Sequence, residues 1–292
     1  MLTTHFVAND SIAEPALDSG LDLGPEAGLQ SAYYDIGEGE TFVLLHGFSG
    51  AKLDFHDQLP WLAKNCRVLA YDQRGHGESS NLGPYSLEGL TADLIGFLNA
   101  LNIDRCHILG HSLGGMVVLR SLLAHPERFS SAILMDTGPS AVSSANLELR
   151  KQLNSIVLEH GCEALLAGMQ EQIPSDDMQR VIDHLGEQEN WRRIRARLTQ
   201  MDPCAFVELG KALSEQQSIL ANLTAIQIPT TIICGALDKP YIEPSTRMHS
   251  HIPNSVLVSI ANAGHSPQYE NAAGWQAAIA SHFSWFDEER EA

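Results

Sequence analysis

Short apolar runs alternate with apolar residues at helical spacing along most of the chain. Phe42–Leu45, Arg67–Tyr71, Cys106–Leu109 and Ala132–Met135 are runs of four or five mostly apolar residues, each followed by polar or glycine positions. Between them, Leu53–Asn65 has helical spacing. Ser86 is placed to cap a helix through Leu101, with Leu87, Leu90, Leu94, Phe97, Leu98 and Leu101 on one face. Leu113–Ala124 reads as a third helix, ended before Pro126. Strands this short and this apolar, alternating with amphipathic helices, specify a parallel sheet covered on both faces. Two further strands are expected ahead of this region, at His5–Ala8 and at Leu29–Ile36, the second ended by Gly37 and Gly39.

The alternation breaks at Pro139. From there to Leu223 the pattern is helical throughout, interrupted at Gly161, Pro174, Gly186 and Pro203. After Pro229 the sheet pattern returns, with strand Thr230–Cys234, helix Glu243–His251, strand Val256–Ile260 and a last helix to about Phe286. The expected fold class is therefore α/β, with a core of residues 29–138 and 224–292 and a helical cap, 139–223, inserted into it. Residues 1–28 read as an acidic N-terminal extension, partly mobile: eight acids and no Lys or Arg fall in the first forty residues, and Ser11–Gly28 is rich in Gly, Pro, Ala and Asp.

Composition narrows the function. An apolar fraction of 44% over 292 residues can bury a large core. The net charge of −18 repels phosphate backbones and anionic lipid, so neither nucleic acid nor a membrane surface is an expected partner. No apolar run approaches the roughly 18 residues of a membrane span, and Met1–Asp10 lacks the features of an export signal. The five cysteines, Cys66, Cys106, Cys162, Cys204 and Cys234, are odd in number and widely spaced, which suits free thiols of a reducing compartment. A soluble cytoplasmic protein is expected.

The candidate chemistry lies where strands end. Gly110-His111-Ser112-Leu113-Gly114 falls between a predicted strand and a predicted helix. A nucleophile on so tight a turn takes strained backbone angles, and glycine two residues to either side removes the collisions that side chains would make. The helix start behind Ser112 also favours negative charge developing on an attacked group. A serine hydroxyl needs a base to take its proton, and the base needs an acid to orient it. His265 lies beyond strand Val256–Ile260, and Asp238 lies beyond strand Thr230–Cys234, so all three fall at the sheet edge where ligand sites gather in open α/β folds. His46-Gly47-Phe48 ends strand Phe42–Leu45, and the backbone N–H groups of Phe48 and Leu113 are the candidate oxyanion hole. Two such donors typically lower the barrier by about 3 kcal/mol each.

Five segments together carry a resemblance: His46–Gly50, Asp72–Ser79, Gly110–Gly115, Gly235–Asp238 and Ala263–His265. In content and order they resemble the motifs of the α/β-hydrolase superfamily over about Leu29–Phe286. The resemblance implies that fold, a helical cap, and a triad of Ser112 as nucleophile, His265 as base and then acid, and Asp238 as orienter. It implies no cofactor and no metal, and gives the Asp72–Ser79 run a structural role. Serine at 112 excludes the carboxylate-nucleophile dehalogenases and epoxide hydrolases of this fold. Met116 stands where the menaquinone-pathway synthases carry arginine, and His111 where C–C bond hydrolases usually carry asparagine. What survives resembles capped serine esterases and enol-lactonases, which implies a small ester, thioester or lactone as substrate. Same-triad lyase or C–C bond chemistry, and a receptor that keeps the triad with slow or no turnover, are the alternatives.

Three weaker features carry rival readings. Asp136, ending strand Ala132–Met135, is a second candidate acid, with Asp238 preferred. Arg192, Arg193, Arg195 and Arg197 form either a face paired with nearby acids or, for one of them, a cleft contact to a substrate carboxylate. His249 and His251 read as helix-end histidines rather than metal ligands.

Overall fold

A computed structural model describes residues 2–9, 29–141 and 147–291. The expected extension at Ser11–Gly28 lies outside these residues. Eight described strands form one sheet: β1 (His5–Asn9), β2 (Leu29–Ile36), β3 (Thr41–Leu45), β4 (Arg67–Tyr71), β5 (Cys106–His111), β6 (Phe129–Met135), β7 (Thr230–Gly235) and β8 (Ser255–Ile260), in the spatial order β1-β2-β4-β3-β5-β6-β7-β8. β1 and β2 pair antiparallel, as do β2 and β4, and every pairing from β4 to β8 is parallel.

The period-two pattern of the strands divides the core. Val43, Leu45, Leu69, Tyr71, Ile108, Leu134 and Ile232 face one apolar cluster, while their neighbours Phe42, Leu44, Val68, Ala70, Leu109, Ile133 and Ile233 face the other. Both sets are buried, which is why these strands read as continuous apolar runs. The first cluster is covered by α2 (Leu87–Ala100) and α3 (Leu113–Ala124), the second by the chain after β3 and by α10 (Ala272–Glu291). Ser86 caps α2 as expected, its hydroxyl accepting the Gly89 N–H at 2.9 Å.

Leu53–Asn65 is a correction. A single 3-10 turn, Lys52–Phe55, and one short helix, α1 (Leu59–Leu62), replace the expected helix. Asp54 bends the chain by accepting the Ala51 N–H at 3.2 Å, and Pro60 cannot supply a mid-helix N–H. Conversely, α9 (Lys239–His251) starts four residues before the expected Glu243, because Pro240 occupies its first turn, where the missing N–H costs nothing.

Between β6 and β7 the described chain contains helices and no strand: α4 (Leu147–His160), α5 (Leu165–Glu171), α6 (Asp176–Leu185), α7 (Glu187–Thr199) and α8 (Pro203–Glu215). Gly161 and Gly186, both at positive φ, make the breaks expected at those positions. Val157, Leu166, Ile194, Leu198, Ala205 and Leu209 from these helices join the same apolar cluster as the sheet face below. Polar ties add to this: Arg193 makes two bonds to Asp57 at 2.8 and 2.9 Å, Arg197 reaches Asp54 at 2.8 Å, and the Tyr85 hydroxyl donates to Asp202 at 2.9 Å.

Burial holds His46 at about 4, and His76, His111 and His282 at about 3. A base depressed below its unfolded value of about 6.5 binds fewer protons folded than unfolded, so its contribution to stability is lost as pH falls through that window. Each of these imidazoles is expected to cost about 2 kcal/mol at pH 5 relative to pH 7. The melting temperature should therefore fall steeply on acidification from pH 7 to pH 5, and His282→Gln should flatten the fall. A melting temperature that holds or rises would contradict this account.

Candidate active site

β5 ends at His111 and α3 begins at Leu113, so Ser112 alone makes the turn, at φ 52° and ψ −115°. Such angles cost of order 1–3 kcal/mol and persist only when the surroundings hold them. Here the Ser112 N–H donates to the Met135 carbonyl at 2.9 Å, and its own carbonyl accepts from the Thr137 hydroxyl at 2.6 Å. A Cβ on Gly110 would lie 2.5 Å from the Gly114 oxygen, the collision expected within the turn. One on Gly114 would instead meet the Leu45 and His46 oxygens of the neighbouring strand end at 2.6 Å, a constraint the spacing does not reveal. Gly110→Ala and Gly114→Ala are each expected to cost at least about 1–3 kcal/mol in denaturant melts, and wild-type midpoints would refute the packing.

Asp238 opens the first turn of α9 and is buried; its Oδ2 accepts His265 Nδ1–H at 2.8 Å. Two contacts fix the loop that carries His265. His111 Nε2–H donates to the His265 carbonyl at 2.7 Å, and the buried Glu270 carboxylate accepts the Gly264 and Ser266 N–H groups, each at 2.8 Å. Arg180 of α6 pairs with Glu270 at 2.6 Å and thereby ties the inserted helices to this loop. The Tyr241 ring stacks on His265, with centroids 5.1 Å apart and planes at 22°. Its hydroxyl shares a hydrogen-bonding contact with Ser112, and burial pushes the phenol up to about 12. The Ser112 hydroxyl thus lies beside Tyr241, and no hydrogen bond between it and His265 occurs among the described residues.

Phe48 follows β3 beside this turn: a Cβ on Gly47 would lie 3.1 Å from Ser112 Cβ. Leu113 is the first residue of α3, where N–H groups lack helical partners. His46 shapes the loop between them. Its Nε2 accepts the Gln73 N–H at 3.0 Å, so the proton sits on Nδ1 and is donated to the Gly47 carbonyl at 2.8 Å. The Gln73 side chain returns a bond to the His46 carbonyl at 2.7 Å. Within Asp72–Ser79, the buried Asp72 accepts from Lys52 Nζ and from the Lys52 N–H, both at 2.6 Å, an arrangement that braces the turn.

Sequence reasoning did not single out Tyr241 or Glu270, and gave His111 no structural part. The regular spacing of Tyr241 three residues after Asp238, within one helical turn, was the one signal available. The four α7 arginines all pair with carboxylates: Arg192 and Arg193 with Glu189, Arg193 also with Asp57, Arg195 with Glu163 and Arg197 with Asp54. His249 and His251 bond to the Ser255 hydroxyl and the Arg247 carbonyl, as helix-end residues do. A second serine–histidine contact, Ser131 to His282 at 2.7 Å, is sealed between the sheet and the last helix and shared with His107, so its hydroxyl cannot meet a substrate.

A cavity of about 640 Å³ opens beside His265, lined by Asp177, Arg180, Leu237, Asp238 and Tyr241. A larger groove of about 850 Å³, between α2, α3 and α8, includes none of the residues around Ser112. Donor atoms of Asp136, Asp238 and His265 lie within 4.8 Å of one another, the only such cluster of potential metal ligands among the described residues. Its His265 nitrogen is already spent on Asp238, so that pair is a hydrogen bond and not an open ligand set. No helix among the described residues is long and apolar enough to cross a membrane.

Comparison with known proteins adds a family. A family model described as the alpha/beta hydrolase fold matches residues 40–272. The chain is 28% identical over 263 residues to the "Putative carbamate hydrolase RutD" of Pseudomonas syringae pv. syringae, covering 84% of this chain and 93% of that one. It is 28% identical to the pimeloyl-[acyl-carrier protein] methyl ester esterase of Aeromonas hydrophila, over 79% of this chain and 90% of the other. Among solved structures, the enol-lactonase from Burkholderia xenovorans LB400 superimposes with a TM-score of 0.75 at 23% identity, over 88% and 97% of the two chains.

Proposed function

Because the chain belongs to the α/β-hydrolase fold family, we propose that it is a cofactor-independent serine hydrolase cleaving a small carboxylic ester, thioester or lactone through an acyl-enzyme on Ser112. The observation that carries this reading is the strained, buried Ser112 at the start of α3, beside a His265–Asp238 pair bonded at 2.8 Å. Strain at a polar side chain held by so many backbone contacts is what a preorganised nucleophile requires. The chemistries named for the relatives, carbamate and methyl ester cleavage, share attack on a carbonyl carbon that bears a heteroatom leaving group.

In this reading the Ser112 hydroxyl turns from Tyr241 to His265 Nε2 by rotation about one staggered torsion. His265 takes its proton while Oγ bonds to the substrate carbonyl carbon, and the carbonyl oxygen becomes an oxyanion held by the Phe48 and Leu113 N–H groups. Asp238 stabilises the imidazolium through the Nδ1 bond. The C–O or C–S bond then breaks, and His265 returns the proton to the leaving group. Water repeats the sequence on the acyl-enzyme, with His265 again taking and returning one proton, and frees the acid and Ser112.

Apolar side chains lie on one side of the site. Phe48 packs on Phe206 of α8 at 5.2 Å between ring centroids, and both rings are partly buried against the apolar cluster below. Short acyl groups are therefore expected to be preferred. A panel of p-nitrophenyl acetate, butyrate and octanoate should show kcat/KM falling from the short to the long ester. Negligible turnover across the panel, together with ligand-induced thermal stabilisation, would favour the receptor reading instead.

A further inference from the structure

Asp136 follows β6 with φ 44°, in the left-handed region that an aspartate enters at a cost, and it is fully buried. The sheet imposes this position: its N–H donates to the Ile233 carbonyl of β7 at 2.9 Å, and its Oδ1 accepts the Gly235 N–H at 2.8 Å. Its Oδ2 is buried with no donor among the described residues, and faces the carboxylate of Asp238, itself only 4% exposed. One donor atom each from Asp136, Asp238 and His265 fall within 4.8 Å of one another.

Two carboxylates with oxygens within 4.8 Å of each other in a dry site resist double ionisation, and an acceptor oriented toward an acceptor is satisfied by a proton between them. The other polar groups facing the pair are the Cys234 thiol, which donates to the Gly235 carbonyl at 3.4 Å, the Tyr241 phenol, the His265 and His111 rings, and the Asp177 carboxylate of α6. None of these is a fixed cation. Arg180, the nearest guanidinium on the cavity wall, is committed to Glu270 and Asp177, and Lys239 lies on the same wall at the start of α9. Burial first, and the Asp238 charge second, raise Asp136 well above the usual carboxylate range.

We propose that Asp136 retains its proton in the working protein and donates it to Asp238, fixing the carboxylate whose other bond orients His265. It is a positioning residue that acts through Asp238, and the inference rests on the proposed roles of Asp238 and His265. The hydrogen bond leaves Asp238 as the one negative charge of the pair. It also restricts rotation of that carboxylate, so that Oδ2 stays on the line to His265 Nδ1.

The test compares wild type with Asp136→Asn, which keeps shape and a donor, and Asp136→Leu, which keeps neither. With p-nitrophenyl acetate, kcat/KM of Asp136→Asn should stay within about threefold of wild type, while Asp136→Leu should lose about 10–100-fold. Wild type at pH 7 should show an infrared carbonyl stretch of a protonated carboxylic acid, absent from Asp136→Asn. Its activity should also fall at high pH, where the shared proton is lost, and Asp136→Asn should lack that alkaline limb. The wild-type and Asn pair decides the matter even if the leucine variant fails to fold. Absence of the acid band, or a loss in Asp136→Asn as large as in Asp136→Leu, would overturn the proposal. Labelling of Ser112 by a fluorophosphonate tests the hydrolase reading separately: failure to label would remove that reading and leave the infrared result to judge the carboxyl pair.

Discussion

Ser112→Ala should lower kcat for p-nitrophenyl acetate by about 10⁴–10⁶-fold, with no burst of p-nitrophenol and no fluorophosphonate labelling. The size follows from the role proposed for the hydroxyl. Without Oγ no covalent intermediate forms, and the oxyanion donors and the binding pocket retain only their own part of the acceleration. The fold should be untouched, because the contacts that hold residue 112 at φ 52° are made by its backbone, to Met135 and Thr137. Alanine keeps the Cβ that already packs near Gly47 and removes only the hydroxyl that faces Tyr241. KM should change little, since a small ester contacts mostly the surroundings. Turnover that survives the substitution would transfer the reaction to His265 acting directly as a base on water or substrate, as in the lyase alternative. The melting temperature then separates a chemical loss from a structural one.

The parts of this site that were legible in the sequence are those fixed by a local conflict. Ser112 is readable because a turn of one residue demands glycine at 110, and Asp238 and His265 because each lies just past an apolar run that must end there. The strands read correctly for a related reason. Phe42–Leu45 is buried on both faces, so its composition alone excludes a surface element. Long-range neighbours account for what was missed. Leu53–Asn65 has helical spacing, yet Asp54 and Asp57 are drawn away to Arg197 and Arg193 of α7, far along the chain. Asp136 meets Asp238 only because β6 and β7 are adjacent in the sheet, an adjacency that no spacing encodes. His111 likewise looks like an unremarkable companion of Ser112 until the His265 loop is folded back onto it.

Asp238→Asn should reduce kcat by about 10⁴-fold, the loss measured for the equivalent change in a serine protease triad, while Asp136→Asn stays near wild type. The two aspartates differ in what the sheet leaves them to do. Asp238 Oδ2 is bonded to the His265 ring nitrogen, whereas both Asp136 oxygens are turned elsewhere, to the Gly235 N–H and to Asp238 itself. An asparagine at 238 carries no charge to balance the imidazolium, and its amide can present N–H to Nδ1, which selects the wrong ring tautomer. At 136 the same replacement supplies a donor where a donor is already required. The order of the effects therefore reports which carboxylate serves the histidine, and a reversed order would make Asp136 the orienter. Combining the substitutions sharpens the result. Asp238→Asn added to Ser112→Ala should cost little more than Ser112→Ala alone, because residues acting as one unit lose their joint contribution once. Independent, additive losses would mean that Asp238 supports the site through folding, not through the proton that passes between Ser112 and His265.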